Sequence, residues 1–200
     1  MTTLLQINSS INAEEGQSSR LAAHFIAAFR ERDPAARIVR RDLAADPVPH
    51  LTAERFGAFL AKPEERTAAQ ERAVADSDEL IAELQRADII VLGLPMYNFG
   101  VPSQLKAYFD HIARAGVTFR YTSDGPRGLL TGKKAYVFAT RGGSYAGTAL
   151  DTQTGYVRDF LGFLGISDVE FVYAEGLAVS PQSRESSLAK AQVQARLMAA

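Results

Sequence analysis

Three stretches of the chain carry residue types that could hold a ligand. The first is Asn8-Ser9-Ser10-Ile11-Asn12-Ala13-Glu14-Glu15-Gly16-Gln17-Ser18-Ser19, between an apolar run and a helical pattern. A helix starting there presents unpaired backbone N–H groups and a partial positive charge, which suits a phosphate monoester. The Ser10 and Ser18 hydroxyls and the Gln17 amide could add donors. The stretch has neither the GxGxxG dinucleotide fingerprint nor the GxxxxGK[ST] triphosphate fingerprint, so a single terminal phosphate fits it best. Taken alone, the same serines would serve equally as helix caps. Glu14 and Glu15 are expected to face solvent, since they would repel a phosphate if turned inward.

The second stretch, Gly93-Leu94-Pro95-Met96-Tyr97-Asn98-Phe99-Gly100-Val101-Pro102, sets Met and aromatic side chains beside an amide. The former pack on flat rings, and Asn98 can donate and accept along a ring edge. Two prolines stiffen the loop, which helps to hold backbone groups against such a ligand. An ordinary strand-to-helix turn with aromatics in the core is the plainer reading. The third stretch is Ala139-Thr140-Arg141-Gly142-Gly143-Ser144-Tyr145, where two glycines let the backbone approach a ligand closely. A Gly-Gly turn alone is weak evidence. Three loops that each follow a predicted parallel strand, on one edge of one sheet, make a shared binding site the stronger reading.

No residue set reads as a nucleophile or a metal centre. The chain has no cysteine, which removes disulfides, thiolate catalysis and iron–sulfur ligation together. His24, His50 and His111 are scattered without partners at ligand spacing, so surface or packing roles are expected and no metal. Glu64-Glu65-Arg66 and Glu71-Arg72 read as a solvated helix face. A net charge of −1 gives no electrostatic reason to expect nucleic acid or an anionic membrane as partner. The longest apolar stretch, Ile89 to Met96, is too short to cross a bilayer and contains Pro95. Met1 to Asn8 lacks the basic-then-apolar pattern of a signal peptide, so a cytoplasmic location is expected.

The elements that must position these loops are legible as an alternation. With 46% hydrophobic and 22% charged residues, the 200-residue chain is expected to form a single α/β domain over 1–200. Leu4 to Ile7 reads as a strand. From Ser18, Leu21, Ala22, Phe25, Ile26 and Phe29 fall on one side of a helix that stops near Asp33-Pro34. Arg37 to Leu43 suggests a more polar strand at a sheet edge. Ala87 to Leu94 is the clearest central strand, apolar on both faces. Ser103 is expected to cap a helix that turns Leu105, Tyr108, Phe109 and Ile112 inward. Ala135 to Ala139, a helix over Gly155 to Gly165, a strand over Val169 to Tyr173 and a helix over Ser183 to Ala199 complete the series. In the long crossover from Ala44 to Arg86, Thr52–Ala61 and Glu64–Arg86 look helical. Gly116 to Leu130 reads as a short β excursion. The series predicts a three-layer, flavodoxin-like sandwich: a five-stranded parallel sheet in the order 2-1-3-4-5 with helices on both faces.

The chain also resembles a known family. Pro95-Met96-Tyr97-Asn98-Phe99, then Pro102, Leu105-Lys106 and Asp110, is similar to the FMN-dependent NADH-azoreductases, a branch of the flavodoxin-like quinone reductases. So are Gly116 to Thr122, Gly125-Pro126, Gly128-Leu129-Leu130 and Lys133-Lys134. The resemblance continues through Arg141-Gly142-Gly143, Phe160-Leu161-Gly162-Phe163 and Ala174-Glu175-Gly176. It implies non-covalently bound FMN, with its phosphate at Ser10 and Gly16-Gln17-Ser18 and its ring at Met96, Tyr97, Asn98 and Phe99. Thr140, Arg141, Gly142 and Gly143 complete the cofactor set; many relatives have Ser where Thr140 stands. NADH or NADPH is the implied donor. Quinones and aromatic azo compounds are the implied acceptors, reduced in turn at one flavin face.

The family's homodimeric assembly implies that the neighbouring subunit helps to build the site. That puts Leu51–Phe59, Phe119, Tyr121 and Phe163 near the substrate, along with Asn98. The flavin performs the hydride chemistry, so no acid–base residue is assigned, though Tyr121 could supply a proton. Two other readings remain at this point: an electron carrier, against which the near-neutral charge and the lid-like Gly116–Leu130 argue, and a binding module that has lost its cofactor.

Overall fold

A computed structural model describes residues 1–200. Five strands form one parallel sheet: β1 (Thr3–Asn8), β2 (Arg37–Asp42), β3 (Ile89–Pro95), β6 (Lys134–Thr140) and β7 (Asp168–Ala174). Between β3 and β6 in the chain, β4 (Phe119–Thr122) and β5 (Gly125–Gly128) pair antiparallel as a separate hairpin. The sheet order is β2-β1-β3-β6-β7. The hairpin takes two strand numbers without joining the sheet, so β6 and β7 are the fourth and fifth sheet strands of the order expected from sequence.

The helices are α1 (Gln17–Arg32), α2 (Ala53–Leu60), α3 (Ala68–Arg86), α4 (Ser103–Ile112), α5 (Thr154–Leu164) and α6 (Pro181–Ala199). Two cores lie on opposite faces of the sheet. Leu21, Phe25 and Phe29 of α1 and Ala191, Ala195 and Ala199 of α6 pack with Val91 and Phe138. Leu80 and Leu84 of α3, Leu105, Tyr108 and Phe109 of α4, and Val157 and Leu161 of α5 pack with Ile90, Leu92 and Val137. Successive β3 residues thus enter different cores, which is why Ile89-Ile90-Val91-Leu92 has no polar face. β2 is at the edge and half-exposed throughout.

Two helix starts are capped otherwise than the sequence suggested. Ser103 is not the cap of α4: Pro102 occupies the cap position with extended backbone, and Ser103 is already the first helical residue. Its hydroxyl is turned to Gln104 Oε1 instead. The helix expected from Glu64 begins at Ala68, because Thr67 and Gln70 exchange hydrogen bonds in a capping box and Pro63–Glu65 forms a separate 3-10 turn. Gly165 closes α5 in the left-handed conformation with φ of 102°. No helix is long and apolar enough to cross a membrane.

Candidate active site

The three loops converge because they leave the carboxyl ends of β1, β3 and β6, which are neighbours in the sheet. The chain reverses its direction of sheet growth between β1 and β3, the position at which open α/β sheets leave a crevice. Cross-links fix the loops to one another. Ser9 Oγ donates to Gly93 O at 2.7 Å, and Met96 N donates to Thr140 O at 2.9 Å. The Tyr97 hydroxyl accepts from Ile11 N at 3.3 Å and is hydrogen-bonded to Ser10 Oγ at 3.2 Å.

At the first loop, Gly16 stands before α1 with extended backbone and provides no side-chain cap. The N–H groups of Gln17, Ser18 and Ser19 therefore have no acceptor in the chain. The hydroxyls of Ser18 and Ser19 are buried without a partner. Buried hydroxyls are normally hydrogen-bonded, so such orphans point to an absent partner. A Cβ on Gly16 would lie 2.2 Å from Ser10 Oγ and 2.5 Å from Ser10 Cβ, so this glycine leaves room for the Ser10 side chain. Glu14 and Glu15 are turned outward, against Arg40 and Arg20.

The second loop reverses at Tyr97-Asn98-Phe99-Gly100. Tyr97 N donates to Gly100 O at 3.2 Å and Gly100 N returns the bond to Tyr97 O at 3.0 Å. Asn98 and Phe99 both have positive φ, 50° and 60°, which Asn tolerates and an aromatic residue disfavours. Phe99 is 49% exposed and meets the Tyr145 ring edge-on at 5.4 Å.

At the third loop, the carbonyls of Gly142 and Gly143 accept from Ala178 N and Gly176 N, each at 2.9 Å. Their own N–H groups have no acceptor in the chain. Arg141 is tied into the fold by its side chain. Its side chain is 0% exposed and turned into the protein, where Nη2 meets Asp151 Oδ1 at 2.7 Å and Nη1 meets Glu175 Oε1 at 3.1 Å. The guanidinium also lies 5.1 Å from the Tyr173 ring centre, and Arg141 N is spent on Ala174 O at 3.0 Å. Arg141 thus anchors the loop through both Nη atoms, while its buried Nε has no partner in the chain. Glu175 Oε1 extends the anchor by accepting from Tyr145 N at 2.8 Å and Ala146 N at 2.9 Å. Burial on its own would raise the Asp151 carboxyl, but hydrogen bonds from Arg141 and Thr154 outweigh it and hold the group below its ordinary value.

The structure brings Ser10, Gly16, Gln17, Ser18, Tyr97 and, through its backbone, Met96 together with the Thr140–Gly143 loop. Phe119, Tyr121 and Phe163 form a second group. The Phe119 and Phe163 ring centres are 4.3 Å apart, and Tyr121 stands edge-on to Phe119 at 5.5 Å. This group lies at the carboxyl end of α5, where Leu130 N donates to Leu164 O at 2.8 Å. The cradle meets the amino end of α5, and Thr154 is about 13 Å from Phe163 along the helix axis. Phe59, near which substrate was expected, packs edge-on to His111 at 6.0 Å and under the Arg114 guanidinium. His111 is buried on α4, so its expected packing role agrees with its position. Asp151, Gln153 and Glu175 were not singled out as site residues. Only the Asp151-to-Thr154 spacing, typical of a helix start, carried any signal.

The donor set fits FMN. One end offers helix N–H groups and serine hydroxyls for a phosphate, and the other offers loop N–H groups and a Met–aromatic turn for a polar ring.

Known proteins give the same picture. The flavodoxin-like fold profile matches residues 2–197. The chain is 56% identical over 191 residues to FMN-dependent NADH:quinone oxidoreductase 6 of Burkholderia lata, covering 96% of each chain. It is 51% identical over 199 residues to an FMN-dependent NADH:quinone oxidoreductase of Cellvibrio japonicus, covering 100% of each. Among solved structures, an azoreductase from Bacillus anthracis superposes with a TM-score of 0.91 at 29% identity, over 100% of this chain and 99% of that one. An FMN-dependent NADH-azoreductase from the same species, solved with FMN, gives 0.88 at 27% identity over 100% of both.

Proposed function

This chain belongs to the flavodoxin-like fold family and, within it, to the FMN-dependent NADH:quinone oxidoreductases; on that premise we propose that it binds FMN in the three-loop cradle and reduces quinones and aromatic azo compounds with NADH. The observation that carries the reading is the set of unpartnered donors: the N–H groups of Gln17 to Ser19 and the Ser18 hydroxyl at one end, those of Gly142 and Gly143 at the other. Bound FMN supplies the hydride acceptance and electron delivery that no side chain of the protein can perform.

The residues have separate tasks in this reading. Ser10, Gln17 and Ser18 hold the phosphate, with the amino end of α1 adding a partial positive charge. Met96, Tyr97, Asn98 and Phe99 lie against the ring. The N–H groups of Gly142 and Gly143 face its polar edge and favour added negative charge there, as fixed dipoles with no reorganisation to undergo. Tyr121 is 76% exposed, free to give a proton to product.

The protein works as a homodimer in this proposal. The aromatic group Phe119, Tyr121 and Phe163 is at the far end of α5 from its own cradle, so a second copy is the simplest way to set it over a flavin. Ile11, Phe56, Leu60 and Leu150 are exposed apolar side chains that such a contact would cover. A cytoplasmic setting goes with the nicotinamide donor. An electron carrier would have no use for the aromatic hairpin.

Steady-state kinetics with NADH and a simple benzoquinone test the proposal. Parallel double-reciprocal lines are expected, because donor and acceptor take turns at one flavin face; NADPH is compared in the same assay. Intersecting lines would contradict the shared face. Sedimentation equilibrium checks the dimer, and an active monomer would contradict it.

A further inference from the structure

One buried side chain grips the second loop, and a residue two positions before it ties the same turn to the third loop. Gln153 precedes α5 and is 0% exposed. Its Nε2 donates to Pro95 O and to Gly100 O, each at 2.9 Å. Those carbonyls bracket Met96 to Phe99, one just before and one just after. The neighbouring Thr152 hydroxyl donates to Phe99 O. On the other side, Asp151 is held by Arg141 at 2.7 Å and by Thr154. The turn 151–154 therefore grips the second loop while tied to the third.

The gripped turn needs a grip. Its two central residues have positive φ, and Phe99 is a residue type that rarely adopts it. Left to itself, such a turn would relax to commoner backbone angles. The side chain that restrains it is also suited to nothing simpler. Only an amide offers two N–H donors on one nitrogen without bringing a charge into the interior. Gln153 Oε1 has no partner in the chain, a cost that a side chain present only for packing would avoid.

We propose that Gln153 is a positioning residue that presets the Met96–Phe99 turn for the FMN ring and couples it to the Thr140–Gly143 loop, an inference that rests on the FMN reading above. Without the clamp, FMN must restore the turn as it binds, and affinity falls by the amount of that ordering.

The test uses Gln153→Glu, which keeps the shape and leaves at most one donor, and Gln153→Leu, which removes the polar end. Two readouts are taken on the flavin-free full-length protein: amide exchange at Tyr97 and Gly100, and the FMN dissociation constant by titration. Each variant is expected to exchange these amides at least roughly tenfold faster and to bind FMN at least roughly tenfold more weakly, while β1 and β7 amides keep their protection. Unchanged exchange at Tyr97 and Gly100, or unchanged affinity, would overturn the proposal. So would loss of folding in both variants, since the clamp would then hold the whole domain rather than the turn. A wild-type protein that binds no FMN would instead overturn the functional reading, while the exchange rates still decide whether the clamp exists.

Discussion

Gly16→Ala isolates the phosphate end of the cradle. Gly16 has φ of −61° and ψ of 139°, angles that alanine adopts without strain, so the backbone imposes no penalty. The new Cβ, however, would lie 2.2 Å from Ser10 Oγ and 2.5 Å from Ser10 Cβ. Rotating the hydroxyl away relieves only the first contact; the second requires the Ser10 backbone to move. Ser10 Oγ is then lost to the ligand, and its link to Tyr97 is broken. A hydrogen bond to a charged group contributes about 1.5–3 kcal/mol, so FMN affinity should fall roughly 10- to 150-fold at about 1.4 kcal/mol per tenfold. Titration of the flavin-free protein, followed by flavin fluorescence, measures this directly. Riboflavin, which has the same ring and no phosphate, is the control. Its affinity should change much less, so that the preference for FMN shrinks. An equal loss for both ligands, or no loss for FMN, would refute the placement of the phosphate beside Ser10 and Gly16.

Other consequences follow from the same contacts. Asp151→Ala leaves the buried Arg141 charge with one carboxylate fewer and should destabilise the fold by about 3–5 kcal/mol in urea denaturation; a loss below about 1 kcal/mol would mean that Glu175 alone suffices. Burial lowers the His111 pKa below 6.5, against a weaker opposing hydrogen bond to Ala107 O. The unfolded chain therefore takes up this proton first as pH falls, so the contribution of neutral His111 is whole above 6.5 and shrinks below it. Denaturation at a series of pH values should show a shallower acid loss for His111→Gln than for wild type, and parallel curves would count against it. Tyr121→Phe should leave reduction by NADH intact and slow reduction of a quinone; identical half-reactions in stopped flow would remove Tyr121 from proton supply.

Much of the scaffold was legible because it follows from apolar periodicity and backbone chemistry. Ile89 to Leu92, apolar at every position, had to be a strand covered on both sides, and Gly165 after a helical pattern had to be a C-cap. The three loops were legible as sites because polar, glycine-rich residues immediately follow such strands. What escaped depended on partners distant in the chain. Arg141 beside two glycines reads as a ligand contact, and only the fold reveals Glu175, 34 positions away, and Asp151 as its partners. Gln153 carries no local signal at all, since its acceptors Pro95 and Gly100 lie more than fifty positions upstream. Ser103 was misplaced as a cap because Pro102 fits that position without a side-chain oxygen. The gap between the aromatic group and the cradle is likewise a property of α5 length and hairpin docking, which residue types do not show.

The central claim is that the loops at Ser10, Met96 and Thr140 hold FMN where NADH can reduce it and a quinone can reoxidise it. An anaerobic visible spectrum of the FMN-loaded protein tests this in one cuvette. The oxidised flavin bands should bleach on adding one equivalent of NADH and return on adding a quinone. A protein that cannot be loaded with FMN would contradict the account, as would a loaded protein that NADH leaves coloured.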